Sequence, residues 1–130
     1  MTEPIFSARA TGKLPRVNRK FGATVVGGKA RLFTTKEHKD LVEAITFQFQ
    51  AAHSGPPIDH YVDARLILAM SKRTDSDAPV KAILDCLEKA GVVSNDKRIR
   101  DIVIRREYQS DEYVEVTLWH TDQEVAAWRT

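Results

Sequence analysis

Hydrophobic and polar residues alternate over IFSARA near the start of the chain, the two-residue period of a strand with one buried face. The loop TGKLPRVNRKFG follows, broken up by Gly, Pro and Asn. TVVGGKARLF predicts a small hairpin turning on Gly27 and Gly28, because Gly-Gly readily takes the positive φ values such turns need. From Thr35, a capping residue, the period lengthens. Leu41, Ala44, Ile45, Gln48 and Phe49 recur at helical spacing to about His53, where SGPP is the stop. HYVDARLILAM reads as a strand whose apolar second half suits a central position covered on both faces, although periodicity alone also allows a buried helix. A second helix begins at Ser76 or Asp77, tolerates Pro79 in its first turn and ends at Gly91, with Val80, Ile83, Leu84, Leu87 and Ala90 as its buried stripe. RIRDIVIRREY and EYVEVTLWH alternate clearly on either side of QSD and predict a terminal antiparallel hairpin. The order β, hairpin, α, β, α, β, β makes this an α+β fold, a mixed sheet of about four strands with two main helices.

A length of 130 residues, 42% of them hydrophobic, fits one domain spanning residues 1–130 around one core. No apolar run approaches the roughly 18 residues of a spanning helix, and MTEPIFSARATG lacks the basic and apolar regions of a signal peptide, so a cytoplasmic location is expected. Cys86, the single cysteine, sits among apolar helix residues in ILDCLEKAG and reads as a small buried hydrophobe rather than a nucleophile. His38, His53, His60 and His120 do not have the spacing of zinc ligands. The net charge of +2 is unevenly spread: residues 1–40 carry nine Lys or Arg against three Asp or Glu, leaving eleven against fifteen for the rest. A basic amino-terminal third suits a polyanionic partner, because clustered cations neutralise phosphates and release counterions.

Asp75 and Asp77 follow the apolar LILAM by a short loop containing Lys72 and Arg73, where a strand end meets a helix start. Two carboxylates two residues apart in a loop can turn toward one hard cation such as Mg²⁺, which takes oxygen ligands and keeps several waters. Close together and partly buried, they resist joint ionisation unless a cation lies between them. Lys81, one helical turn after Asp77, can touch a phosphate oxygen or steady developing negative charge. The same residues also suit a helix cap at Asp77, a solvated Asp75 and an exposed ion pair from Lys81 to Asp85, and the spacing leaves both readings open. An EF-hand loop from Asp75 is excluded, since its sixth and twelfth places hold Val80 and Cys86 instead of Gly and Glu.

The whole stretch KRTDSDAPVKAILDCLEKAGVVSNDKRI resembles the RusA family of Holliday junction resolvases. That family carries a basic-flanked Asp-x-Asp, a Lys four residues later, an alanine-rich helix ending in Ala-Gly, and a final Asp in a short loop before a strand. Asp75, Asp77, Lys81, KAILDCLEKAG and Asp96 hold those places, and LPRVNRKFG is similar to the family's Pro-and-Asn loop. The resemblance implies a dimeric, Mg²⁺-dependent endonuclease that nicks two strands of a four-way DNA junction in recombination and repair. It makes Asp75, Asp77 and Asp96 the ligands of one or two Mg²⁺ ions and puts Lys81 at the scissile phosphate. Arg16, Asn18, Arg19, Lys20, Lys72 and Arg73 would then contact backbone phosphates. Where the family commonly has Asp-Leu-Asp-Asn, this chain has Asp75-Ser76-Asp77-Ala78, a change expected to alter junction contacts more than chemistry. A DNA-binding module without catalysis and a broader flap or branched-DNA nuclease are the alternatives. If the strands flanking the second helix are parallel, Asp96 should emerge at the far end of a helix about 20 Å long. Its metal site would then be completed by the partner subunit of a homodimer.

Overall fold

A computed structural model describes residues 3–15, 21–26, 29–34, 36–71 and 79–121, and of residues 21–34 the backbone alone. The elements follow the order β1 (Phe6–Thr11), β2 (Phe21–Val26), β3 (Lys29–Thr34), α1 (Lys36–Ala52), β4 (Val62–Met70), α2 (Val80–Lys89), β5 (Ile99–Tyr108) and β6 (Tyr113–His120). The fold is therefore α+β, as the patterning predicts. A four-stranded mixed sheet has the order β1-β6-β4-β5, and β2 and β3 form a separate antiparallel pair closing at Val26 and Lys29. Both breakpoints of that hairpin, Gly27 and Gly28, lie outside the described residues.

β4 is the central strand. It pairs in parallel with β5, Val62 beside Ile99 and Met70 beside Tyr108, and antiparallel with β6. Val62, Ala64, Leu66, Leu68 and Met70 are buried and face the core with Val114, Val116 and Leu118 of β6, as the alternation of a strand requires. On the opposite face only the carboxyl end is covered: Ala69 is buried, Ile67 is half-buried and Arg65 is exposed. Cover on both faces, expected for the whole apolar half, is thus confined to its last residues.

The terminal strands depart from the predicted hairpin. β5 and β6 do not pair with each other, because β4 lies between them. Alternation identifies a strand and its buried face but not its partner, and the strongly apolar β4 gains more by taking a neighbour on each side. Residues 109–112 cross over the end of β4, a gap of two strand spacings or about 10 Å. The Gln109 N–H donates to the Met70 carbonyl at 3.0 Å on the way.

α1 packs on the core face, with Phe49 edge-on to Phe6 at 6.3 Å between ring centroids. Its buried residues are His38, Val42, Ile45 and Phe49, a stripe rotated from the one expected, for Ala44 is exposed and Leu41 half-buried. Gln48 accounts for the rotation. Its amide accepts from Thr11 N–H at 2.8 Å and donates to Thr11 carbonyl at 2.9 Å, so it binds the end of edge strand β1 instead of entering the core.

Candidate active site

α2 divides its surface between packing and charge. Ile83, Cys86 and Leu87 are fully buried in the core, whereas Lys81, Asp85 and Glu88 recur a turn apart on the outer side. The helix ends where expected. Gly91 has φ +76°, its N–H donates to Glu88 carbonyl at 3.1 Å, and Val92 N–H donates to Leu87 carbonyl at 3.0 Å. That pair of bonds is a Schellman ending, which needs the left-handed residue glycine supplies. Its start falls later than predicted, at Val80 after Pro79, and Asp77 lies outside the described residues.

The reversal at Gly91 sends the chain back along α2. Val92 and Val93 are buried, and they are fastened beside residue 58: Ile58 N–H donates to Val92 carbonyl and Ser94 N–H to Ile58 carbonyl, each at 2.9 Å. Ser94 Oγ donates to Asp59 at 2.7 Å, and Arg98 pairs with the same carboxylate at 3.2 Å. The Ser94 hydroxyl first, then the Arg98 charge, hold the Asp59 carboxyl below the usual carboxylate range. Asn95 caps the next turn by accepting from Lys97 N–H at 2.9 Å, and Asp96 opens that single 3-10 turn.

Asp96 is gripped by α2 at two points. Its N–H donates to Glu88 Oε1 at 3.0 Å, and its carboxylate accepts from Lys81 Nζ at 3.1 Å while Lys81 also reaches Asp85 at 3.1 Å. The hydrogen bond to Asp85, then that to Asp96, pushes the Lys81 pKa up and keeps the ammonium charged. Lys81 remains two-thirds exposed and Asp96 about a quarter exposed, so the pair faces solvent where a polymer can approach.

The separation expected between Asp96 and the acids Asp75 and Asp77 involves residues 72–78, which lie outside the described residues. The flanking strands are parallel and Ile99 does lie beside Val62, at the end of β4 opposite Met70. But α2 has only ten residues, about 15 Å, and nine residues separate it from β4. Asp96 lies beside Glu88 in the last turn of α2, where the Lys81 side chain reaches it from the first turn.

Of the predicted site residues, Lys81 and Asp96 are brought together. Asp75, Asp77, Lys72 and Arg73 fall in 72–78, and Arg16, Asn18, Arg19 and Lys20 in 16–20, outside the described residues. Among the described residues no group of three His, Cys, Asp or Glu side chains stands close enough to hold a metal ion. The hard carboxylate oxygens of Asp96, Asp75 and Asp77 are nevertheless the donor type Mg²⁺ takes, and Asp96 has a second oxygen besides the one bonded to Lys81.

Two features escaped the sequence reading. Glu88 carried no signal, since an acid on an outer helix face is ordinary until the chain returns beside it. Glu112 is a buried acid that accepts from Leu14 N–H at 2.9 Å and from both Ser71 N–H and Ser71 Oγ at 2.8 Å. Cys86 is buried as expected. Its thiol donates to Val42 carbonyl at 3.6 Å, and burial pushes its pKa up, which suppresses the nucleophilic thiolate.

A protein-family model described as Endodeoxyribonuclease RusA matches residues 13–119, a span that runs from the basic loop through β6. No curated protein matches the chain.

Proposed function

Since the chain belongs to the RusA family of endodeoxyribonucleases, hydrolases of DNA phosphodiester bonds, we propose that it resolves four-way junctions by paired, metal-assisted nicks and acts in recombination and repair. The observation that supports this reading is the ion pair of Asp96 with Lys81, which stands in the first turn of α2, four residues after Asp77. It joins two of the four family positions into one constellation on the solvent side of the core.

Asp75, Asp77 and Asp96 would hold Mg²⁺, which when bound supplies Lewis acidity at the scissile phosphate and at an attacking water. The chain's own residues do the rest. Lys81, held charged between Asp85 and Asp96, stands ready to donate to a phosphate oxygen as negative charge develops there. Asp85 and Glu88 aim Lys81 and Asp96, so neither group must search for its position when substrate arrives. Arg16, Asn18, Arg19, Lys20, Lys72 and Arg73 would bind backbone phosphates and set the register without reading sequence. A homodimer carrying two such sites fits a branched substrate with two strands to cut.

Nicking of a synthetic four-way junction by purified protein across Mg²⁺ and Mn²⁺ concentrations, beside three-way and linear substrates, tests the reading. Preferential nicking of the four-way junction is the expected result. Tight binding without cutting at any metal concentration would leave a binding module, and equal cutting of all branched substrates would leave a general branched-DNA nuclease.

A further inference from the structure

Glu112 takes no part in the chemistry above, yet its side chain occupies an unusual place for an acid. It is 9% exposed and ends the 109–112 crossover, immediately before β6. We propose that Glu112 is a positioning residue for the active site, its two carboxylate oxygens fixing Ser71, four residues before Asp75, against Leu14, two residues before Arg16. The proposal rests on the nuclease reading and adds a residue to it.

The geometry divides the carboxylate between the two residues. Oε1 accepts from Leu14 N–H at 2.9 Å, and Leu14 is fully buried two residues before Arg16. Oε2 accepts from Ser71 N–H and Ser71 Oγ, each at 2.8 Å, and Ser71 stands four residues before Asp75. The Glu112 carbonyl adds a bond from Gly12 N–H at 3.1 Å. A buried carboxylate is costly unless such donors satisfy it, and hydrogen bonds to an ionised acceptor are short and strong. The partners lie 98 and 41 residues away along the chain, so this contact sets a spacing that no local structure fixes. Leu14 and Ser71 lead into the residues that would carry the phosphate-binding cations and the metal ligands, and an error of about 1 Å at such a site is enough to impair cutting. Glutamine cannot replace the acid, since its amide has one acceptor oxygen and would turn an NH₂ donor toward one of the two N–H groups.

The test compares wild type with Glu112→Gln and with Ser71→Ala, which removes only the hydroxyl bond. Amide hydrogen exchange at Leu14 and Ser71, thermal unfolding, junction binding in EDTA, and nicking across a Mg²⁺ titration are measured. In E112Q at least one of the two amides should lose protection. The Mg²⁺ concentration for half-maximal nicking should rise by about tenfold or more, as when other groups that orient metal ligands are removed, with binding in EDTA little changed. S71A should shift the Mg²⁺ midpoint the same way by less. Folded E112Q with exchanging amides and an unchanged Mg²⁺ midpoint overturns the proposal, and so does lost nicking that only follows lost folded protein. A wild type that never nicks counts against the nuclease reading instead, and protection of the two amides then decides whether the clamp exists.

Discussion

Lys81 is the residue at which structure and chemistry meet most closely. Two carboxylates raise its pKa, Asp85 before Asp96. A raised pKa means that the pairing is fully present below the ordinary lysine range and is lost only as pH climbs through the higher folded value. Between about pH 6 and pH 9 the ammonium therefore stays charged, and a pH–rate profile should show no inflection from it. Lys81→Ala should slow single-turnover cutting about a hundredfold, the scale of losing one preorganised donor, and lower the salt slope of binding by about one unit. The thermal midpoint should barely move, because exposed ion pairs contribute little. Lost binding with unchanged single-turnover cutting would make Lys81 a docking residue. Asp77→Asn tests the complementary role: one ligand charge goes while the basic surface stays, so cutting should vanish and binding should hold or tighten. Near wild-type cutting would remove Asp77 from the site. Cys86, whose thiol burial pushes up, should resist iodoacetamide in the folded protein and react once unfolded; rapid native labelling would contradict its burial.

Among the elements, the turn after α2 carries the most consequence. Gly91 sits at φ +76° with open space where a Cβ would stand, so Gly91→Ala meets backbone strain and no clash. Strain of that kind costs about 1–2 kcal/mol, measurable as a lower urea midpoint. Because the same turn returns Asp96 to Lys81, cutting should fall with it; unchanged stability would mean that the left-handed ending is dispensable. This turn also shows what was legible in the sequence. Gly91 could be placed because a glycine after an amphipathic stripe has a local, conformational reason to be there, and the elements and their order could be read for similar reasons. Partners were another matter. The insertion of β4 between β5 and β6, the return of Asp96 to α2, and the grip of Glu112 on Leu14 and Ser71 all join residues distant in sequence. None of them leaves a periodic trace. The stripe of α1 was misplaced for a related reason: the register of Gln48 follows from the backbone of Thr11, which lies 37 residues away. For the site, the resemblance to the family singled out Lys81 and Asp96, but their contact needed the fold.

At the scale of the molecule, charge and shape make separable contributions to recognition. The basic excess lies in residues 1–40 while the remainder is acidic, and the proposed phosphate contacts of Arg16, Arg19 and Lys20 fall in that basic third of the sequence. Arg16, Arg19, Lys20, Lys72 and Arg73 supply five cations per subunit. With a slope near −0.9 for each phosphate neutralised, the logarithm of affinity should fall with the logarithm of salt at about −4.5 per engaged subunit. Such contacts would be sequence-blind and open to any DNA, so they would not by themselves distinguish a four-way junction from a duplex. Preference for the junction has to come from the spacing of the two sites in the proposed dimer, which charge neutralisation leaves alone. Combining Arg16→Ala, Arg19→Ala and Lys20→Ala should therefore weaken binding to four-way, three-way and linear DNA alike, flatten the slope by nearly three units per subunit, and keep the preference for the four-way form. Affinities of the three substrates measured over a salt series decide the matter. A triple variant that keeps its slope but loses its preference would mean that the 16–20 loop reads junction shape, and the division between charge and geometry would fail.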